Sequence, residues 1–414
     1  EKLSPMMQQY FALKEKYPDC VLFFRLGDFY EMFFDDAIRI SRELELTLTG
    51  RDCGLKERAP MCGIPYHSVD MYLKRLVERG YKIAICEQLT DPATTKGLVE
   101  RDVIRIVTPG TLIESNLLEE GANNYLCSLY FEEGGDCGLC FADLSTGDII
   151  ALLPEQKNLE ANVIDALSRY TPAEILMNED ALLLKSVMEF IKIRLQCVVT
   201  MRDAECFSAE RNHDFVCHQF QVPELSYLQL PETGSETAAV YGMIDYIKET
   251  QKNQIARFIS LTVNDDDAYL GLDFNAKYGV ACAHMELELT ETLRGKERKG
   301  SLLWLMNTAK TSMGKRMLKT WIEQPLVQPA KIMARLDAVE IFVKKSVVLM
   351  EVRSILDSVY DLERLMTRVL YKTATPRDLK ALATTARQIP ALKAELEKVA
   401  DRKLLARLLS QISN

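Results

Sequence analysis

Phe29 and Glu31 stand two residues apart, directly after Gly27-Asp28. The run before them, Val21-Leu22-Phe23-Phe24-Arg25-Leu26, is apolar and reads as a strand ended by a Gly-Asp turn. If the chain continues extended, side chains alternate, so Phe29 and Glu31 face the same way. A ring can stack on a flat partner while a carboxylate beside it hydrogen-bonds that partner's edge. A nucleobase is such a partner. The same stretch also holds Phe23, Phe24, Tyr30, Phe33 and Phe34. Aromatic-rich stretches build cores as well as binding surfaces, so spacing alone leaves both readings open.

Other candidate chemistry is thinner. Cys137 and Cys140 have C-x-x-C spacing but no second pair, and they fall in a strand-like run, which favours plain buried thiols. His213, Cys217 and His218 lack a fourth ligand at usable spacing. The four histidines, at 67, 213, 218 and 284, suggest no nucleophile–base arrangement. A phosphate loop of the form G-x-x-x-x-G-K-[ST] does not occur. Its nearest approach, Gly295 to Ser301, lacks the lysine after the second glycine and reads as a basic turn. Asp143 and Asp148 lie on or near predicted strands and keep a metal-dependent nuclease open as an alternative, since two-metal cleavage needs converging carboxylates. A third reading is an interaction scaffold that docks partners through its acidic middle.

These residues must be positioned by more than one domain. A chain of 414 residues predicts two to four, and 48% hydrophobic content supplies their cores. No run of 18 uncharged apolar residues predicts a membrane span. The first residues lack the apolar core of a signal peptide, and eleven cysteines form no disulfide framework, so a cytosolic protein is expected. The net charge of −9 is unevenly spread. Residues 1–110 carry 16 basic against 17 acidic side chains, 111–265 carry 10 against 25, and 266–414 carry 25 against 18. The middle is therefore a poor surface for a phosphate backbone, whereas the two ends are not.

The first region, 1–110, mixes helix and strand. Ser4 before Pro5 predicts a capped helix start. Residues 35–44 read as a helix with acids in its first turn, and 69–79 as another that stops at Gly80. Lys82–Cys86 reads as a strand, Thr108–Thr111 as a turn and Glu114–Asn124 as a linker. The second region opens with three strands, Tyr125–Phe131, Gly138–Asp143 and Ile149–Leu153, followed by a helix at Leu159–Tyr170. A three-strand meander followed by alternating helices and strands suggests a ribonuclease-H-like sheet. The third region is helical, with apolar spacing over Leu302–Glu323, Ile332–Lys345, Arg377–Gln388 and Ala391–Val399, the last two separated by Pro390. No internal repeat stands out.

Several motifs share one resemblance. Phe23 to Ala37, FFRLGDFYEMFFDDA, resembles the signature of the mismatch-recognition domain of the MutS DNA mismatch-repair family. Phe29 and Glu31 match its Phe-x-Glu residue for residue. Ser4 to Tyr10 resembles the family's opening segment, and Pro60 to His67, Glu87-Gln88 with Asp91-Pro92-Ala93-Thr94, Val99-Glu100-Arg101, Arg105 to Thr111, Leu289 to Leu293, Asp361 to Arg364 and Thr375 to Leu379 resemble its later segments, in order. One stretch departs from the pattern: Tyr278 to Met285 looks inserted or altered.

The resemblance implies a multidomain fold, α/β followed by all-α: a mixed α/β mismatch-recognition domain over 1–110, a linker over 111–120, a ribonuclease-H-like connector over 121–250, and a helical core/lever domain over 251–414. It implies that Phe29 wedges into DNA at mispaired or unpaired bases and Glu31 hydrogen-bonds the base. Met61, Gly63 and Ile64 match a loop that approaches DNA, and Arg51 is a candidate phosphate contact. The implied partners are double-stranded DNA with mismatches or small insertion/deletion loops, a second copy as homodimer, and MutL, in the bacterial cytosol at the nucleoid. ATP and Mg are implied for an intact protein whose clamp and ATPase domains would follow this chain. None of its own segments is expected to bind a cofactor or metal, or to be an enzyme on its own.

Overall fold

The computed structural model describes residues 3–54, 56–90, 97–114, 116–252, 260–263, 269–272, 289–290, 299–401 and 403–412. The departing segment Tyr278–Met285, His284, the motif Asp91–Thr94 and most of the Gly295–Ser301 turn lie outside the described residues.

In the first region, the Ser4 hydroxyl accepts from the Met7 amide at 3.4 Å and Pro5 opens α1 (Pro5–Lys16). A six-stranded sheet follows, built from β1 (Val21–Leu26), β2 (Phe29–Phe33), β3 (Thr49–Arg51), β4 (Ala59–Pro65), β5 (Ile83–Gln88) and β6 (Arg101–Val107). Its order is β3-β4-β2-β1-β5-β6, antiparallel except where β1 runs parallel to β5. Two helices, α2 (Phe34–Leu44) and α3 (Val69–Val77), cover one face, where Phe23, Tyr30, Met32 and Ile64 pack against Ile40, Leu44, Leu73 and Leu76. On the other face α1 brings Met7, Tyr10 and Leu13 onto Leu22, Phe24 and Phe33. Helix α3 ends two residues before Arg79. Gly80, at φ +81°, then takes the left-handed conformation that a glycine adopts without strain.

The second region holds another six-stranded sheet. Its strands are β7 (Tyr125–Phe131), β8 (Cys137–Asp143), β9 (Asp148–Leu152), β10 (Glu174–Met177), β11 (Val198–Met201) and β12 (Ser260–Val263). The order is β11-β10-β7-β8-β9-β12. Strands β7, β8 and β9 form the antiparallel meander, while β10 joins β7 in parallel and β11 joins β10 in parallel. Strand β12 pairs parallel to β9, so this sheet draws a strand from beyond residue 250. Helices α4 (Leu159–Tyr170) and α5 (Lys185–Phe190) cover one face. Helices α6 (Ala209–Phe220) and α7 (Ser235–Gln251) cover the other. Central strand β8 is buried along its whole length, Cys137 and Cys140 included. Burial pushes the Cys137 thiol up to about 12.

The third region is helical: α8 (Leu302–Met306), α9 (Ser312–Glu323), α10 (Pro329–Lys344), α11 (Ser346–Leu356), α12 (Leu362–Leu370), α13 (Pro376–Glu397) and α14 (Lys403–Gln411). Two expectations need correction. Leu302–Glu323 is two helices, because Thr311 caps the second one, its hydroxyl accepting from the Gly314 amide at 3.0 Å. Conversely, Pro390 does not separate two helices but lies inside α13. A proline removes one helical hydrogen bond and bends the axis, and the helix can continue past it.

The three regions meet around residues 119–124. Arg364 of α12 is buried and donates to the carbonyls of Glu119 at 2.9 Å and Ala122 at 2.7 Å, and to the Ser145 hydroxyl at 3.2 Å. Arg316 of α9 forks onto Asp361 at 2.6 and 2.9 Å. Tyr371, 1% exposed, belongs to the buried cluster that includes Leu126, Leu144 and Ile113 of the preceding regions.

Candidate nucleic-acid interface

The β1–β2 hairpin is closed by Gly27-Asp28, with Leu26 paired to Phe29. Gly27 sits at φ +59° at the first central position of the two-residue turn, where the twist of a hairpin calls for glycine. The turn delivers Phe29 at the tip of the sheet. The aromatic stretch then divides: Phe23, Phe24 and Phe33 are fully buried, Tyr30 is 6% exposed and Phe34 packs half-buried against the core under α1, whereas Phe29 is 46% exposed. One ring of the stretch is thus free to meet a partner.

Glu31 shares Phe29's face of β2, and Gly63 on β4 is its cross-strand partner. A Cβ at Gly63 would lie 3.5 Å from Glu31 Cγ and 3.8 Å from Phe29 Cδ1. The glycine therefore leaves a clear space beside both side chains. Arg51, two strands away on β3, reaches over β4 and donates from Nη1 to Glu31 Oε2. The Glu31 side chain is 13% exposed and the Arg51 side chain 39%.

The remaining sequence candidates fare differently. Met61 is half-buried and packs against the core under α1. Ile64 is corrected: its side chain is fully buried in the core beneath α2 and α3, because it pairs with inward-facing Tyr30. It supports the hairpin and offers no side-chain surface to a ligand.

Sequence reasoning missed two neighbours. Arg25 places its guanidinium 3.7 Å from the centroid of the Tyr66 ring and donates from Nε to the Gly27 carbonyl at 2.5 Å. Tyr66 is exposed, and its amide donates to the Asp28 carbonyl at 2.9 Å, tying the end of β4 to the hairpin turn. A lone arginine in an otherwise apolar strand was the signal for Arg25. Nothing in the sequence marked Tyr66 apart from its neighbours. Tyr30, on the opposite face, donates its hydroxyl to Glu87, and burial together with that carboxylate pushes the phenol well above its ordinary range.

The nuclease alternative loses its carboxylates. Asp143 is fully buried and accepts from the Ser145 amide and hydroxyl at 2.9 and 2.6 Å, from Asn123 at 2.9 Å and from the Asn124 amide at 3.2 Å. Asp148 accepts from Thr146 at 2.9 Å and Ser260 at 3.0 Å. Both acids are engaged in holding turns. Among the described residues no three His, Cys, Asp or Glu side chains gather as a metal site. No helix of the described residues is long and apolar enough to cross a membrane.

Three family models match consecutive stretches: MutS domain I over residues 4–116, MutS domain II over 124–258 and MutS domain III over 283–414. The DNA mismatch repair protein MutS of Ruminiclostridium cellulolyticum is 44% identical over 394 residues, covering 95% of this chain and 44% of the relative. That of Alkaliphilus oremlandii is 41% identical over 413 residues, covering 99% and 46%. That of Clostridium tetani is 43% identical over 399 residues, covering 96% and 43%. The chain thus spans a little under half the length of these relatives.

Proposed function

The chain belongs to the MutS family, and from that premise we propose that it recognises mispaired or unpaired bases in double-stranded DNA. Phe29 enters a base step from the minor groove and stacks on the mispaired base, while Glu31 hydrogen-bonds the base edge. The observation that carries this reading is the exposure of Phe29 in a stretch whose other β-strand rings are buried.

The energetics favour a damaged step. Unstacking a step and kinking the duplex costs about a few kcal/mol. Stacking on an aromatic ring returns about 1–3 kcal/mol. A correctly paired step resists the deformation more than a mispaired one, so deformability becomes specificity. Neutral overall charge in the first region suits this approach better than the strongly acidic second region.

The second region is proposed as a ribonuclease-H-like connector. Its antiparallel meander β7–β9 with β10 and β11 added in parallel beside β7 supports that assignment. The helical third region is proposed as part of the core and levers. At the full length of the family, the proposal extends to ATP and Mg binding by a domain beyond this chain, to a homodimer that becomes a sliding clamp, to signalling through MutL, and to a place in the bacterial cytosol at the nucleoid.

The test is Phe29→Ala in the full-length protein. Its affinity for a G·T duplex should fall to that for the matched control, with thermal stability and ATPase activity retained. Undiminished discrimination between the two duplexes would sink the proposal.

A further inference from the structure

Resting on the reading of Phe29 and Glu31 as the mismatch probe, we propose that Arg51 is a positioning residue for Glu31 rather than an independent phosphate contact. Arg51 occupies β3 and Glu31 occupies β2, with β4 between them. Neighbouring strands lie about 4.8 Å apart, so the pair must bridge two such spacings. Only long side chains meeting over an unobstructed strand can do so. Gly63, directly across from Glu31, provides that clearance.

The contact has two consequences for the carboxylate. It fixes Oε2 on the guanidinium, and it leaves Oε1 with no hydrogen-bond partner among the described residues. One oxygen is thereby reserved for a donor from outside the protein, beside the exposed ring of Phe29. The arginine thus holds the recognition group in place.

A phosphate contact and a positioning residue differ in what they change. Neutralising a phosphate adds to binding of every sequence and contributes about one to the slope of log affinity against log salt. Positioning Glu31 affects only the mismatched complex. The test is a double-mutant cycle in the full-length protein, measuring affinity for a G·T duplex and its matched control at two salt concentrations. The variants are Arg51→Ala, Arg51→Lys, Glu31→Ala and the double substitution.

Arg51→Ala is expected to lower mismatch preference roughly tenfold, the order of one charge-assisted hydrogen bond. Matched-duplex affinity and the salt slope should stay unchanged. In the Glu31→Ala background Arg51→Ala should add no further loss of preference. Arg51→Lys, which keeps the charge but not the planar fork, should restore only part of it. Equal weakening of both duplexes, a salt slope smaller by about one, or additive losses in the double variant would each overturn the proposal. Thermal melting of each variant identifies any loss that comes from misfolding, since Arg51 is only half-buried on an edge strand and its removal should leave the fold intact. Failure of this inference is distinct from failure of the probe reading. The former leaves Phe29→Ala defective and Arg51→Ala non-selective, while the latter leaves Phe29→Ala fully discriminating.

Discussion

Gly63 shows how a missing side chain can be functional. Its neighbours Glu31 and Phe29 would sit at 3.5 and 3.8 Å from an added Cβ, which is ordinary van der Waals contact. Gly63→Ala should therefore fold and discriminate nearly as well as the native residue. Gly63→Val places two further methyl groups against the Phe29 ring and across the path of Arg51. A valine suits a strand, so the melting temperature should hold. Mismatch preference should nevertheless drop by roughly tenfold or more if a stacking contact worth about 1–3 kcal/mol is obstructed. Comparison of G·T and matched-duplex affinity for the two variants checks this, and equal preference in both would contradict it. Residue types at 29 and 31 were enough to suggest a stacking ring beside an acceptor. The partner of the acceptor was not legible, because Arg51 is twenty residues away and meets Glu31 only after three strands align. Nor was the burial of Ile64, which depends on which face of β4 its position takes.

At the scale of elements, helix α7 approaches strand β8 closely. A Cβ on Gly138 would fall 1.9 Å from the Ser235 carbonyl oxygen, and one on Gly242 would fall 2.3 Å from the Phe207 ring. The Gly242 Cβ would also fall 2.9 Å from the Ser128 hydroxyl on β7, so the helix settles on the sheet only where both positions lack side chains. Gly138→Ala should push the N-terminal turn of α7 off β8 and cost about 1–3 kcal/mol or more, as overpacking does. Thermal denaturation should register this as a lower midpoint, and an unchanged midpoint would refute the packing argument. Strands and helices with strong periodicity were legible from sequence, as β7 at Tyr125–Phe131 and α4 at Leu159–Tyr170 illustrate. The edge strands β3, β11 and β12 were not, because three or four residues carry too little pattern to register. The helical region misled in both directions. The cap at Thr311 was hidden within a run of apolar spacing, and Pro390 was given more power to end a helix than a long, packed helix allows.

For the whole molecule, the decisive feature is the polar joint around residues 119–124. Arg316 is 4% exposed and Asp361 is 16% exposed, and Glu363 also binds Arg316, at 2.5 Å. Burial alone would raise the Asp361 carboxyl, but the hydrogen bonds and charge of Arg316 outweigh it and hold it below its ordinary value. A depressed carboxyl contributes stability that is complete above its unfolded value of about 4 and is lost as pH falls through the lower folded value. Arg316→Met should cost on the order of 3 kcal/mol near neutral pH, since it leaves the half-buried Asp361 without its forked partner and with only Arg364, at 3.9 Å, as a cation. Urea unfolding should show the gap between native protein and variant narrowing as pH is lowered below about 4. A gap that stays constant or widens would rule out the pair as its source.

Tyr371 gives this joint a further meaning. It comes from the end of α12, yet it lies within the core that the second region's own strands and helices build. The interior of the second region is therefore not closed by its own stretch of chain. Exchange of that stretch between relatives would have to carry a matching tyrosine and its helix along with it. The unit that can be inherited or transplanted is the sheet together with its plug, and change on either side is answerable to the other.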